Sequence, residues 1–194
     1  MKYSNEMLVL ADLFEERGED PKAHALRLAA DDTNVLGYSP LWPLIYDWPW
    51  HDDYDTFVEF GHEVYKEFID RFAATLAWGD ADAFILRLRY TLENVHGRRD
   101  DEELEDNYNH MLAGLPSHVP SYPYYVLRYY VELLRNPWLD GDSKLPVKQD
   151  GAWYLCCGAA SIEGERLETD LMKRFGWIIE IWLKLIWKGI NAWV

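Results

Sequence analysis

The spacing of apolar positions along the chain predicts an all-α protein. Apolar residues recur every three or four positions in several segments, as they do on the buried face of an α-helix. These segments are residues 5–17, 56–78, 81–96, 100–113 and 124–135. We therefore predict one domain, residues 1–194, that is a bundle of about seven helices around an apolar C-terminal helix.

The C-terminal segment, residues 161–194, predicts the core helix of this bundle. From Phe175 onward it carries three charged residues at four-residue intervals, Glu180, Lys184 and Lys188. That spacing places the charges on one narrow helix face, so the rest of the circumference must be buried. The same charges disfavour a membrane span, because each would cost about 2.5–3.5 kcal/mol near the bilayer centre.

Four tryptophans lie on this helix: Trp177, Trp182, Trp187 and Trp193. Large rings on several faces of one helix are hard to cover within a chain of this length. We expect Trp193 to be partly exposed or to contact a second copy of the chain. The pattern thus leaves two alternatives, a tryptophan that is partly exposed in a monomer or a homo-oligomer formed through the C-terminal helix.

Two segments break the helical pattern. Residues 31–55 contain Pro40, Pro43 and Pro49 among six tryptophans and tyrosines, which predicts an ordered aromatic loop packed on the core. Residues 136–152 are rich in glycine, proline and aspartate and predict a second loop. The short apolar run that follows, residues 153–157, fits one helical turn or a lone strand.

A helical hairpin is predicted for residues 5–30. Gly18 ends its first helix, and Asp20 followed by Pro21 begins the second, with the aspartate as N-cap. Residues 56–135 are expected to supply the remaining helices between the aromatic loop and the core helix.

The hairpin also resembles a short motif of bacterial and phage proteins of unknown function, the repeat-companion segment of planctomycete and myxobacterial proteins. The matching residues are Ala11, Asp12, Glu15, Glu16, Gly18, Ala25, Leu26 and Arg27. The chain departs from the motif where Phe14 replaces a leucine and Glu19 precedes Asp20. The resemblance covers residues 10–29 and implies a helical hairpin, a bacterial or viral source and no known chemistry.

The formal net charge of −15 narrows the classes of partner that this chain is expected to bind. Residues 1–120 carry 25 acidic and 10 basic residues, so the acidity belongs to the N-terminal two-thirds. Such a surface repels nucleic acid and anionic membranes. It either serves only to keep the protein soluble or attracts a protein partner with a basic surface. The two adjacent cysteines suit no disulfide framework, and no secretory signal follows Lys2, so we expect a cytoplasmic protein. No cofactor motif is present in the sequence, and we predict no cofactor.

Two Glu-x-x-His pairs are the strongest candidate for a metal site. Glu59 and His62 form one pair, and Glu93 and His96 form the other. A carboxylate and an imidazole three residues apart share a helix face and can hold one metal ion. Both pairs fall on the polar faces of their predicted helices, however, so solvated side chains are the simpler interpretation.

An acidic block at the start of a predicted helix is the main candidate for charge-based binding. Its members are Asp100, Asp101, Glu102, Glu103, Glu105 and Asp106. Acidic residues commonly begin a helix, because they complement the positive end of its dipole. The alternative interpretation is a string of charges that imitates the phosphates of a nucleic acid.

These features predict a non-enzymatic protein-interaction or assembly protein. The expected partner-binding residues are the aromatic residues Trp48, Trp50, Tyr54 and Trp193 together with the acidic block. The first alternative is an acidic inhibitor that occupies a nucleic-acid-binding groove, as in phage counter-defence. The second is a metal-dependent helical enzyme that uses the two Glu-x-x-His pairs, and no catalytic residue is assigned outside them.

Overall fold

The computed structural model describes residues 3–31, 40–49, 54–75, 86, 88–89, 123, 126–130, 146–163 and 171–192. Within these ranges every regular element is helical, which confirms the predicted all-α class. The helices that can be bounded there are α1 Ser4–Glu16, α2 Asp20–Ala30, α3 Leu41–Tyr46, α4 Tyr54–Thr75, α5 Pro146–Ala160, the 3-10 helix Ser161–Glu163 and α6 Leu171–Asn191.

The chain divides into two compact units. Unit 1 comprises Met1–Phe57 and Arg166–Val194, and unit 2 comprises Val58–Glu165. Unit 1 holds α1, α2, α3 and α6, whereas most of α4 and all of α5 belong to unit 2. The prediction that residues 1–194 form a single domain stays a prediction.

The structure contains the predicted hairpin of α1 and α2, but the predicted N-cap is wrong, because Asp20 is the first residue of α2 and Glu19 precedes it as N-cap. The turn of the hairpin follows from one glycine. Gly18 has φ +76°, a conformation that costs an L-residue with a side chain about 1–2 kcal/mol. The Gly18 amide donates to the Glu15 carbonyl and the Glu19 amide donates to the Phe14 carbonyl, both at 2.9 Å. These two bonds satisfy the last carbonyls of α1, and they form the Schellman arrangement that reverses the chain.

Alternating large and small buried residues hold the hairpin together. α1 buries Met7, Leu10, Ala11 and Phe14, which recur at intervals of three and four. The buried face of α2 is mostly alanine: Ala23, Ala25, Leu26, Ala29 and Ala30. On the outside, Arg27 of α2 donates to Asp12 at 3.0 Å and also to Glu15. Both ion pairs lie at the surface, where such pairs contribute little to stability.

Part of the predicted aromatic loop is helical, so the prediction of one continuous loop over residues 31–55 is wrong. Leu41 to Tyr46 forms α3, which packs on α2 and buries Leu41, Leu44 and Ile45. Pro43 sits in the first turn, where backbone amides have no partner within the helix and a proline therefore costs little. The rings of Trp42 and Tyr46 stack across this turn, with their centroids 4.0 Å apart.

The second predicted loop is also partly helical. α5 begins at Pro146 and continues to Ala160, so the predicted loop ends before residue 146 and residues 153–157 are neither an isolated turn nor a strand. A proline is well suited to the first position of a helix. The buried residues Ala152, Leu155, Cys156 and Ala159 then follow helical spacing.

The apolar C-terminal helix lies in the core of unit 1, but its predicted start at residue 161 is wrong, because Ser161–Glu163 forms a separate 3-10 helix. α6 starts at Leu171 and passes through Gly176 without interruption. It buries Phe175, Trp177, Ile178, Ile179, Trp182, Leu183, Ile186 and Ile190. Lys184 and Lys188 are exposed and Glu180 is half-buried, as the four-residue spacing predicted. In the described part of the chain, no helix is both long and apolar enough to span a membrane.

Three aromatic rings join α1, the α3–α4 connection and α6 inside unit 1. Trp48 contacts Phe14 edge to face with a centroid distance of 5.6 Å, and it contacts Trp182 in the same way at 4.5 Å. At the other side of α6, the Trp187 indole donates to Glu6 at 2.8 Å. The Tyr3 hydroxyl donates to Glu180 at 3.1 Å. The N-terminal helix is therefore fixed to α6 by apolar and polar contacts.

Candidate functional site

Unit 1 contains a cleft, which we call the α6 cleft. Its volume is about 210 Å³, and it is partly open to solvent. The lining residues are Phe14, Lys22, Thr56, Leu185, Ile186, Gly189 and Ile190. The last turns of α6 form one wall, and α1, α2 and the first turn of α4 form the other.

One wall of the cleft is open because a glycine faces it. Gly189 is exposed, and a Cβ placed on it would meet no heavy atom within 4 Å. Glycine within a helix normally costs about 0.5–1 kcal/mol relative to alanine. Gly189 thus leaves space beside Leu185, Ile186 and Ile190 that a larger side chain would fill.

Lys22 supplies the charged group of the cleft. Its side chain is only 12% exposed, and its ammonium lies 2.6 Å from a carboxylate oxygen of Glu19. The same ammonium lies 5.3 Å from the centroid of the Phe14 ring and 5.7 Å from that of Trp48. These are cation–π distances, so the two rings help to hold the charge in place.

The position of Lys22 is unfavourable for the helix that carries it. It lies in the first turn of α2, where the positive end of the helix dipole disfavours a cation. Lysine is also rarely buried to this extent unless it is paired. Glu19 and the two rings offset these costs, but they do not explain why a lysine is present. A charge held at such a site is typical of a group that serves binding.

Trp48 is a core residue, and its predicted role in partner binding stays a prediction. It is 2% exposed and is enclosed by Phe14 and Trp182. Its large ring is buried because α3 turns the aromatic segment back onto the hairpin. Trp48 supports the cleft indirectly, since its ring lies beneath the Lys22 ammonium.

His62 of the first predicted metal pair contacts a tyrosine of unit 2. Its Nδ1 lies 3.0 Å from the hydroxyl oxygen of Tyr130. The Tyr130 ring stacks on Tyr65 with a centroid distance of 4.1 Å and an interplanar angle of 5°. When the tyrosine hydroxyl donates to Nδ1, that nitrogen is occupied and Nε2 carries the proton. Glu59, one turn earlier, is half-buried.

The convergence of the two Glu-x-x-His pairs stays a prediction, because Glu93 and His96 lie outside the described residues. Among the residues that are described, no three histidine, cysteine, aspartate or glutamate side chains form a group that could hold a metal ion. The other partner-binding predictions also stay predictions. The described ranges do not include Trp50, Trp193 or the acidic block from Asp100 to Asp106. They do include Tyr54, which is the first residue of α4.

Burial of the stacked tyrosines predicts a loss of stability at alkaline pH. Burial raises the pKa of Tyr65 and of Tyr130 above the ordinary value of 10.0, and the nearby Tyr130 raises the pKa of Tyr65 further. The folded protein therefore keeps both protons at a pH where the unfolded chain has lost them. The contribution of the two protonated tyrosines to the free energy of unfolding is fully present below pH 10, and it declines as the pH rises above 10.

Chemical denaturation at a series of pH values tests this expectation. The free energy of unfolding should fall above about pH 10, and the Tyr65→Phe/Tyr130→Phe double variant should show a shallower fall. An identical alkaline decline in the wild type and the double variant would show that these two phenols do not cause it.

Sequence reasoning did not identify the α6 cleft. One signal was available in the sequence, because Lys22 follows Asp20–Pro21 and so places a cation where helices prefer an anion. The glycine at position 189 gave no comparable signal, since a single glycine near the end of a helical pattern usually marks its C-cap.

Comparison with models of known protein families, with curated proteins and with solved structures finds no match to this chain.

Proposed function

We propose that this protein is a non-enzymatic interaction protein that receives an apolar side chain of a protein partner in the α6 cleft. The observation that carries the proposal is the size and lining of the cleft. A volume of about 210 Å³ is smaller than the roughly 300–1,000 Å³ of typical small-molecule and cofactor sites. It suits one large side chain, such as leucine or phenylalanine.

The surroundings of the cleft support an anchoring role. A few residues usually dominate the energy of a protein interface, and each fills a well-packed apolar pocket near its centre. Phe14, Ile186 and Ile190 line such a pocket, and the Phe14 ring packs against the buried ring of Trp48, which in turn contacts Trp182. A partner side chain would therefore enter a preformed site, which reduces the entropic cost of binding.

The acidic surface adds a second contribution to partner choice. On the outer face of α1, Asp12, Glu15 and Glu16 are exposed beside the apolar residues Leu8 and Val9. Arg27 pairs with Asp12 and Glu15 and so offsets part of this charge. The remaining acidity and the net charge of −15 favour partners with basic surroundings. Charges of this kind mainly increase the rate of association, whereas the cleft would determine the lifetime of the complex.

The other functional predictions stay open as proposals. The nucleic-acid-imitating inhibitor depends on the acidic block, and the metal-dependent enzyme depends on convergence of Glu59 and His62 with the second pair. Assembly of several copies through the C-terminal helix depends on Trp193. The α6 cleft supports the interaction protein, because the structure describes every residue that lines it.

Filling the cleft tests the proposal. Peptides would be selected on the wild-type protein from a displayed library of random sequences, and their affinities would be measured for two variants. Gly189→Trp places an indole in the cleft, and we expect it to weaken the selected peptides at least tenfold, about 1.4 kcal/mol. Lys184→Trp is the matched control, because it adds the same ring at an exposed position of the same helix.

Circular dichroism and denaturation should show that both variants remain folded. Equal affinity of the selected peptides for Gly189→Trp and the wild type would exclude the α6 cleft as the anchoring site. Equal losses in Gly189→Trp and Lys184→Trp would also count against the proposal, since they would point to a general effect on α6.

A further inference from the structure

We infer that the anchor received by the α6 cleft is the C-terminal apolar residue of a protein partner, with its terminal carboxylate bound to Lys22. The inference rests on the proposed function and specifies the chemistry of the partner. It follows from the lining of one small cleft, which combines an apolar wall with a lysine whose side chain is mostly buried.

The first step concerns distance. Lys22 lines the same space of about 210 Å³ as Ile186 and Ile190. A ligand that fills the apolar part must therefore carry its anionic group within a few bonds of its apolar group. A C-terminal leucine, valine or phenylalanine meets this requirement, because its carboxylate and its side chain are attached to the same Cα. An internal aspartate or glutamate beside an apolar residue places the charge farther away.

The second step concerns the donors of Lys22. An ammonium group has three N–H donors, and the contact with Glu19 at 2.6 Å uses one of them. The rings of Phe14 and Trp48 lie against the charge but accept no conventional hydrogen bond. The ammonium thus has the capacity to bind a second carboxylate while it remains attached to Glu19.

The third step concerns the local field. Lys22 lies in the first turn of α2, whose positive dipole end adds to the charge of the ammonium. Both contributions favour an anion at this end of the cleft. Glu19 and Asp20 are the opposing charges at this helix end, and Glu19 is 32% exposed compared with 12% for Lys22. Glu19 is therefore better solvated than the lysine and can share it with a ligand carboxylate.

Recognition of a chain terminus by this geometry needs no covalent step and no further group. The carboxylate accepts from Lys22, and the apolar side chain enters the space beside Gly189 and Leu185. Two features of the cleft would select a C-terminal apolar residue over other ligands. A polar side chain would be desolvated against the apolar wall, and an amidated terminus would lack the charge that the ammonium attracts.

Three probes test the inference by fluorescence or calorimetric titration. The first is a hexapeptide that ends in leucine with a free carboxylate, the second is the same peptide with a C-terminal amide, and the third is 4-methylpentanoate. We expect the free-carboxylate peptide to bind at least tenfold more tightly than the amide. Binding of 4-methylpentanoate as tight as that of the peptide would overturn the inference, because a small acid would then suffice.

Two substitutions with opposite expected effects separate a binding role of Lys22 from a structural one. Lys22→Met keeps the aliphatic stem and removes the charge, so it should abolish the preference for the free carboxylate. Glu19→Gln removes the competing anion, so it should tighten the free-carboxylate peptide and leave the amide unchanged. If the ion pair only stabilised the hairpin, both substitutions would weaken both peptides to a similar extent, and the inference would be wrong.

Gly189→Trp distinguishes failure of this inference from failure of the proposed function. If the free and amidated peptides bind equally and both are lost in Gly189→Trp, the cleft is an anchoring site but the carboxylate is irrelevant. If neither peptide binds the wild type while library-selected peptides do, and those are lost in Gly189→Trp, the inference is overturned and the proposed function stands. If binding of every probe is unaffected by Gly189→Trp, both are overturned.

Discussion

Replacing Trp182 with alanine is expected to lower the free energy of unfolding by about 3–5 kcal/mol. The Trp182 side chain is 1% exposed, and its ring meets Trp48 at 4.5 Å with an interplanar angle of 87°. Removing it leaves a large cavity at the centre of unit 1, where Trp48 also contacts Phe14. Tightly packed neighbours relax only partly, so the loss of transfer free energy and the cavity both contribute.

Denaturant titration of Trp182→Ala measures this effect, and Lys184→Ala is the control on the same helix. Lys184 is exposed, and its contact with Glu180 at 3.1 Å is a surface ion pair worth at most about 0.5 kcal/mol. A double-mutant cycle with Trp48→Ala should give a coupling free energy of about 0.5–1.5 kcal/mol. A loss below about 1 kcal/mol for Trp182→Ala would contradict the packing described for unit 1.

The second large effect is expected in unit 2, where Tyr130→Ala should also cost about 3–5 kcal/mol. Tyr130 is completely buried, and it stacks on Tyr65 at 4.1 Å. The substitution removes the stacking partner of a buried ring and the hydroxyl that contacts His62 at 3.0 Å. It also leaves a cavity beside the hydroxyl of Tyr65, which donates to the Leu88 carbonyl at 3.4 Å.

Tyr130→Phe separates the ring from the hydroxyl. It keeps the stacked ring and removes one hydrogen bond, so its cost should be about 0.5–1.5 kcal/mol. The difference between the two variants measures the contribution of ring packing. If both variants lost the same amount, the hydrogen bond to His62 rather than the stacked ring would hold this region together, contrary to the geometry.

The helices with clear periodicity could be predicted from the sequence. Met7, Leu10 and Phe14 on α1 repeat at helical intervals, and the three charges of α6 define its exposed face. Both patterns arise because one side of each helix is buried, so they can be recognised in the sequence itself. The turn at Gly18 was predictable for a similar reason, since glycine most readily adopts a positive φ.

The helices α3 and α5 were not predicted from the sequence, because their local composition obscured the helical spacing of apolar residues. Three prolines obscured α3, although Pro43 falls in a first turn where proline is tolerated. Glycine, alanine and cysteine obscured α5, because small residues give a weak hydrophobic signal even when Ala152 and Ala159 are fully buried. Packing of α3 on α2 is a tertiary effect that local propensity cannot supply.

The α6 cleft could not be predicted, since it depends on distant parts of the sequence. Lys22 and Ile186 are more than 160 positions apart, and only the fold of unit 1 brings them to one cleft. The sequence did indicate that aromatic residues would be important, and the structure shows how: Phe14 and Trp48 lie beneath a charged group. Trp48 therefore acts from within the core rather than from the surface.

The most direct test of the proposed function is to observe the α6 cleft while a ligand binds. Methyl-labelled protein would be titrated with a library-selected peptide, and the signals of Ile186 and Ile190 would be compared with that of Ile69, which is buried in unit 2. We predict that the two α6 methyl signals shift and show nuclear Overhauser contacts to an apolar side chain of the peptide, while Ile69 is unchanged. Peptide binding without any change at Ile186 and Ile190 would contradict the account.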